Sequence, residues 1–189
     1  MLIRGFGLAL ARSPDDCRAH AMLDRRRVSR IVPGLLRGGD GSDNLSGNGG
    51  SDTLDGQLGA DNLTGGDGTG IDRVIYPRFN AVTVTIDDVA NDGELGEGDN
   101  VRSDNEQVEG SIAGDSLTGS DRDETLLGGL GNDTLDGRGG ADLLDGSFGE
   151  DTLRARDGVA DRVDCGSGAQ DIALIDAGLD VPVTCEDVL

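Results

Sequence analysis

Aspartate recurs every ninth residue in a glycine-rich frame in two separate stretches, first as Asp43, Asp52 and Asp61 and later as Asp133, Asp142 and Asp151. The unit is clearest in Gly128-Gly129-Leu130-Gly131-Asn132-Asp133-Thr134-Leu135-Asp136, with Gly at the first and fourth places, Asp at the sixth and Leu at the eighth. Gly tolerates the left-handed backbone angles that let a hexapeptide turn tightly and aim its carbonyl oxygens inward. The tripeptide that follows, such as Thr134-Leu135-Asp136, is apolar only at its centre and predicts a very short strand with one inward side chain. Two loop-strand units make one coil of about 18 residues, and coils stack at the usual strand spacing of about 4.8 Å.

Residues eighteen apart therefore lie above one another: Asp43 over Asp61, Asp115 over Asp133 over Asp151, and Asp142 after Glu124 on the opposite edge. Each loop offers a carboxylate and a set of carbonyl oxygens. A hard cation such as Ca²⁺ takes about six to eight oxygen ligands from flexible loops, and this donor set suits it. Parallel to the acids run Leu45, Leu54 and Leu63, then Leu117, Leu126, Leu135, Leu144 and Leu153. These ladders are expected to fill the narrow space between two sheets, so the fold class is all-β, a parallel β-roll (a β-helix solenoid) of stacked nonapeptide repeats with an inserted strand-loop excursion.

Six segments carry the full or nearly full unit: 38–46, 47–55, 56–64, 128–136, 137–145 and 146–154. Two are degenerate: in 110–118 Ala113 replaces the fourth Gly, and in 119–127 Arg122 replaces it and Glu124 replaces Asp. The pattern resembles the RTX (repeats-in-toxin) calcium-binding nonapeptide-repeat family, over most of Gly38 to Ile175. The resemblance implies a calcium-binding β-roll in which one loop gives its sixth-place carboxylate and carbonyls, and the loop one coil further on gives the rest. Carried onto this chain, the carboxylate ligands are Asp43, Asp52, Asp61, Asp133, Asp142 and Asp151, with Asp115 and, after an insertion in the fourth repeat, Asp72. The accompanying backbone positions are Gly38, Gly41, Gly47, Gly50, Gly56, Gly59, Gly128, Gly131, Gly137, Gly140, Gly146 and Gly149. Arg122 is expected to put its own cation into the loop before Glu124 and to leave that position free of metal. Pairing the stacked loops gives about four to seven ions.

Composition sets the source of stability. Hydrophobic residues are 35% of the chain, aromatics 2%, and there is no Trp, so a large conventional core is excluded. The formal charge is −21, and stacking that many carboxylates without cations costs heavily through like-charge repulsion. Calcium would remove the repulsion and tie coils together, so the metal-free chain is expected to be largely unfolded and Ca²⁺ to trigger cooperative β-structure.

The chain divides into five stretches. Residues 1–37 hold eight of the sixteen Arg against three Asp and read as a basic, flexible leader, the alternative being a nucleic-acid patch at Arg25-Arg26-Arg27. Ile3 to Ala11 is too short and polar-flanked to read as a secretory signal. Residues 38–74 and 110–154 are the repeat blocks. Between them, 75–109 is a β-rich excursion: Val74-Ile75-Tyr76 and Val82 to Ile86 predict strands, with a third near Glu106 to Glu109. Its acidic loop, Asp87 to Asn100, aligns loosely with an EF-hand from Asp88 through Asp92 and Gly93 to Asp99. Ala90 sits at a ligand place and the flanks are strand-like, so the loop reads as a solvated acidic turn. Residues 155–189 form a degenerate last coil and cap, with Asp161-Arg162-Val163, Asp171-Ile172-Ala173 and a strand from Val181 to Cys185. Cys165 and Cys185 stand twenty residues apart, close to one coil length, and read as a disulfide in an oxidising, extracellular setting; two free buried thiols are the alternative, and Cys17 is left over.

Enzymatic readings find little support. The only His, His20, lies in the leader, and the repeated carboxylates follow the structural period, as ligands would and a single catalytic pair would not. No phosphate-loop motif occurs and there is no Lys. The acidic surface disfavours nucleic acid and anionic membranes, and no apolar run reaches the roughly 18 residues of a membrane span. Three readings remain: a secreted, extracellular calcium-binding β-roll that folds on binding Ca²⁺; an accessory module separated from a larger secreted enzyme, toxin or adhesin; and a module making cell-surface or polysaccharide contact. The last is poorly supplied with sugar-stacking aromatics, having only Phe6, Phe79, Phe148 and Tyr76.

Overall fold

The alternation of loop and tripeptide folds as its period dictates. A computed structural model describes residues 28–29, 34–67 and 69–189. Among these there is no helix, and the chain winds as a parallel β-solenoid of about eight turns. No helix among the described residues is long and apolar enough to cross a membrane. The arginine run, His20 and Cys17 lie outside the described residues.

One face is a single eight-stranded parallel sheet running from Leu35–Asp40 through Thr53–Leu58, Arg73–Ile75, Gln107–Glu109, Thr125–Leu130, Leu143–Phe148 and Arg162–Asp164 to Val181–Val183. Within the blocks its register is the sequence period: Leu36 pairs with Leu54 and Leu126 with Leu144. On the facing side Leu117 pairs with Leu135 and Leu135 with Leu153. All eight predicted ladder leucines are buried, as are Val74, Val84, Val101, Val108 and Val163, which take the same inward place in the irregular coils. Leu36 is buried with them and Val28–Ser29 pairs in parallel with Asn44–Ser46, so the stacking begins at least at Val28, ahead of the boundary expected at residue 38.

The excursion splits the second face in two. Asn44–Ser46, Asn62–Thr64 and Asn100–Val101 belong to a four-stranded sheet, whereas Val82–Thr85 begins the run through Ser116–Thr118, Thr134–Asp136, Thr152–Ala155 and Ile172–Ile175 to Asp187–Val188. After Arg73–Ile75 the chain thus steps forward to pair with Ser116–Thr118, turns back through an antiparallel contact with Gly93–Glu94, and returns to pair with Asn62–Thr64. Stacking survives because Val74 pairs with Val108, 34 positions further along the chain. At the split, Asp92 joins the two halves: its Oδ1 accepts the Thr85 N–H at 2.7 Å and its Oδ2 the Val101 N–H at 2.8 Å.

The acidic loop is therefore only partly the solvated turn expected from sequence. Asp88 is exposed and pairs with Arg102 and Ser103, and the Ser103 N–H holds its carboxyl below the usual range. Asp92 and Asp99 are 1% and 0% exposed. The physical reason is that both supply acceptors to backbone N–H groups left over where strands end. At the far end Cys165 and Cys185 are joined by a disulfide, which ties the chain just after Val181–Val183, the edge strand of the eight-stranded sheet, to the coil beneath it.

Candidate metal centre

Each sixth-place acid stands immediately before a short strand, at the corner where loop becomes sheet, and along most of each edge a carboxylate oxygen accepts the backbone N–H of the acid one coil earlier. On one edge these bonds run from Asp43 to Asp61, at 2.8 Å, and from Asp61 to Asp99, at 2.9 Å. They resume from Asp115 to Asp133 and from Asp133 to Asp151, both at 2.7 Å, and from Asp151 to Asp171, at 2.8 Å. On the other edge Asp52 donates to Asp72, Asp72 to Glu106, Glu124 to Asp142, Asp142 to Asp161 and Asp161 to Asp180. The stacked pairs read from sequence are all present, and Asp72 aligns with Asp52.

Besides Glu124 and the C-terminal Asp180, four ladder acids lay outside the expected ligand set: Asp99, Glu106, Asp161 and Asp171. A signal for them exists in the sequence. Each stands two residues before a buried apolar residue, Val101, Val108, Val163 or Ala173, as Asp133 stands before Leu135. The ninefold spacing hides this wherever the loop changes length.

The second carboxylate oxygen is the informative one. Oδ2 of Asp61, Asp133, Asp142, Asp151 and Asp171 is buried and has no hydrogen-bond partner. A buried unpaired carboxylate oxygen is expensive, and desolvation, reinforced by the neighbouring ladder acids, pushes the Asp133 and Asp142 carboxyls up to about 7 and those of Asp61 and Asp151 to about 6. A second oxygen lies close by. A Cβ placed on Gly47 would fall 2.6 Å from the Gly65 carbonyl oxygen and 2.9 Å from Asp52 Oδ2, so only Gly permits the carboxylate of one loop and the carbonyl of the next coil to converge there. In the six full loops the second and fourth places both take left-handed angles, for example φ +107 at Gly129 and +125 at Gly131. That geometry presents successive backbone groups to the loop interior. Among the described residues no three Asp, Glu, His or Cys side chains converge on one point. A cation here would draw on one or two carboxylates and otherwise on carbonyls, the mixed oxygen set that Ca²⁺ accepts.

The family of the RTX calcium-binding nonapeptide repeat, in four copies, matches residues 37–71 and 118–153. The chain carries RTX repeats. Such repeats bind Ca²⁺ ions between stacked loops and serve as structural units rather than catalytic ones, so this is a calcium-binding β-roll. No curated protein matches the chain.

Asp115, expected as a ligand, and Glu124, expected to be free of metal, stand apart from the other ladder acids. Asp115 and Glu124 have protein donors on both carboxylate oxygens. Arg122, expected to fill the loop before Glu124 with its own charge, turns instead to the Ser103 carbonyl at 2.8 Å.

Proposed function

We propose that this chain is a secreted β-roll that folds when extracellular Ca²⁺ fills the sites between its stacked loops. The observation that carries the reading is the row of buried carboxylate oxygens without partners, at Asp61, Asp133, Asp142, Asp151 and Asp171. With the cation absent, their mutual repulsion and desolvation oppose stacking; with it present, the same atoms link one coil to the next, and binding free energy becomes folding free energy. The ligands are Asp43, Asp52, Asp61, Asp72, Asp133, Asp142 and Asp151, with carbonyls of the glycines that frame each loop, and Asp161 and Asp171 extend the two rows toward the C-terminus. A disulfide at Cys165–Cys185 supports export to an oxidising compartment, where calcium is also abundant. Far-ultraviolet circular dichroism in EGTA and after addition of millimolar calcium tests the proposal: a disordered spectrum converting cooperatively to strand supports it, and a spectrum indifferent to the metal defeats it.

A further inference from the structure

The loops 110–115 and 119–124 differ from the six full loops in backbone as well as sequence. From Asn100 to Gly128 no residue takes a left-handed φ, although the six full loops do so at both the second and fourth places. The fourth place accounts for this. Ala113 and Arg122 carry side chains where the full loops have Gly, and a left-handed angle costs a residue with a Cβ about 1–2 kcal/mol. The second place is not the obstacle, since Ser147 adopts φ +69 in a loop whose fourth place is Gly149.

The altered turn redirects the loop's donors. Ser111 gives its N–H to Asp115 Oδ2 at 2.5 Å and its hydroxyl to Oδ1 at 2.9 Å, where the Val82 N–H also arrives at 2.7 Å. Ser120 repeats the arrangement, with its N–H on Glu124 Oε2 at 2.9 Å and its hydroxyl on Oε1. In both loops the serine oxygen then accepts the N–H two residues on, from Ala113 at 3.0 Å and from Arg122 at 3.3 Å. Both oxygens of each acid are thereby satisfied by protein. Asp133 and Asp142, one coil further on, and Asp151, two coils beyond Asp115, each keep one oxygen bare. Ser111 and Ser120 aim N–H groups at the carboxylate oxygen that is bare in Asp133, Asp142 and Asp151, and a cation, which cannot accept hydrogen bonds, is excluded from that position.

We propose that loops 110–115 and 119–124 hold no calcium, a serine staple taking the place of the ion, so that the two calcium ladders are separated by a metal-independent coil. The proposal rests on the reading of the full loops as calcium sites. Its place in the fold gives it a role. The stapled coil adjoins the excursion, where Asp92 joins the split sheet and Tyr76, the largest of the fully buried side chains, lies in the core with Val82, Val84 and Ile86. The middle of the roll holds together by hydrogen bonds and apolar contact, and offers each flanking ladder a formed edge on which calcium-bound coils add.

Calcium per chain, measured by equilibrium dialysis on the full-length protein, tests this. Asp115→Asn is expected to bind as many ions as the parent and Asp133→Asn at least one fewer; an ion lost from Asp115→Asn overturns the proposal. Because Asp115→Asn also weakens a staple, the double variant Ser111→Gly with Ala113→Gly provides an opposite readout. Restoring the full-loop backbone should add calcium, and an unchanged count in a folded double variant, as judged by circular dichroism, also overturns it. A parent chain that binds no calcium sinks the proposed function itself, a result distinct from either of these.

Discussion

Replacing Asp133 by Asn separates the two roles of a ladder acid, because the amide keeps the acceptor and discards the charge. Asp133 is 2% exposed; its Oδ1 accepts the Asp115 N–H at 2.7 Å and its Oδ2 is bare. Burial, with the Asp115 and Asp151 charges adding to it, raises the carboxyl from 3.8 to about 7. Ionising it in the metal-free coil therefore opposes folding, by about 4 kcal/mol at the full displacement and about 2 kcal/mol after solvent screening at the edge of the roll. Asn carries no such cost. At about pH 8 in EGTA the Asp133→Asn chain should have a folded-to-unfolded ratio roughly tenfold or more above the parent, seen as a larger strand signal by circular dichroism. In saturating calcium the order reverses, since the parent gains an ion that the variant lacks, and the variant should melt at lower urea. A variant less folded than the parent in EGTA, or equally stable in calcium, would refute the reasoning.

Acidification gives the same effect without mutation. The ladder carboxyls are raised in the folded state, so their contribution to metal-free stability is fully present below their unfolded values near 4 and is lost as pH rises through about 6 to 7. Metal-free chain should show more strand at about pH 5 than at about pH 8, and equal spectra at both would contradict the burial argument. Leu135 is fully buried in a ladder between Leu117 and Leu153, and Leu135→Ala should cost about 2–5 kcal/mol in a urea melt with calcium present; a loss under about 1 kcal/mol would mean the leucines do not pack as a column. Reducing Cys165–Cys185, which closes a loop of 20 residues, should cost about 3 kcal/mol and raise amide exchange in residues 162–189 first; unchanged exchange there would show that the bond does not hold the last coil.

The ladders were legible because inside the blocks the spatial repeat is the sequence repeat: Asp133 meets Asp151, and Leu135 meets Leu153, at eighteen positions. Where the chain leaves that period the reading stopped. Asp99 continues the row above Asp61 from 38 positions away, and nothing local reveals that Val82–Thr85 pairs forward before Asn100–Val101 returns to pair back. Burial of Asp92 follows from backbone N–H groups left at a split between sheets, a feature of topology rather than of composition. The serine staples were hidden for a related reason. Ser111 and Ser147 occupy the same place in the repeat, yet Ser147, two residues before Gly149, is left-handed and Ser111, two residues before Ala113, is not. The disulfide was readable because its spacing approximates one coil.

The claim beneath all of this is that divalent cations join the coils of a roll whose apolar core is two facing columns, each one residue wide. Equilibrium dialysis of the purified chain at millimolar free calcium measures it directly. The account predicts about four to seven ions bound per folded chain. A folded chain with no bound calcium would contradict it.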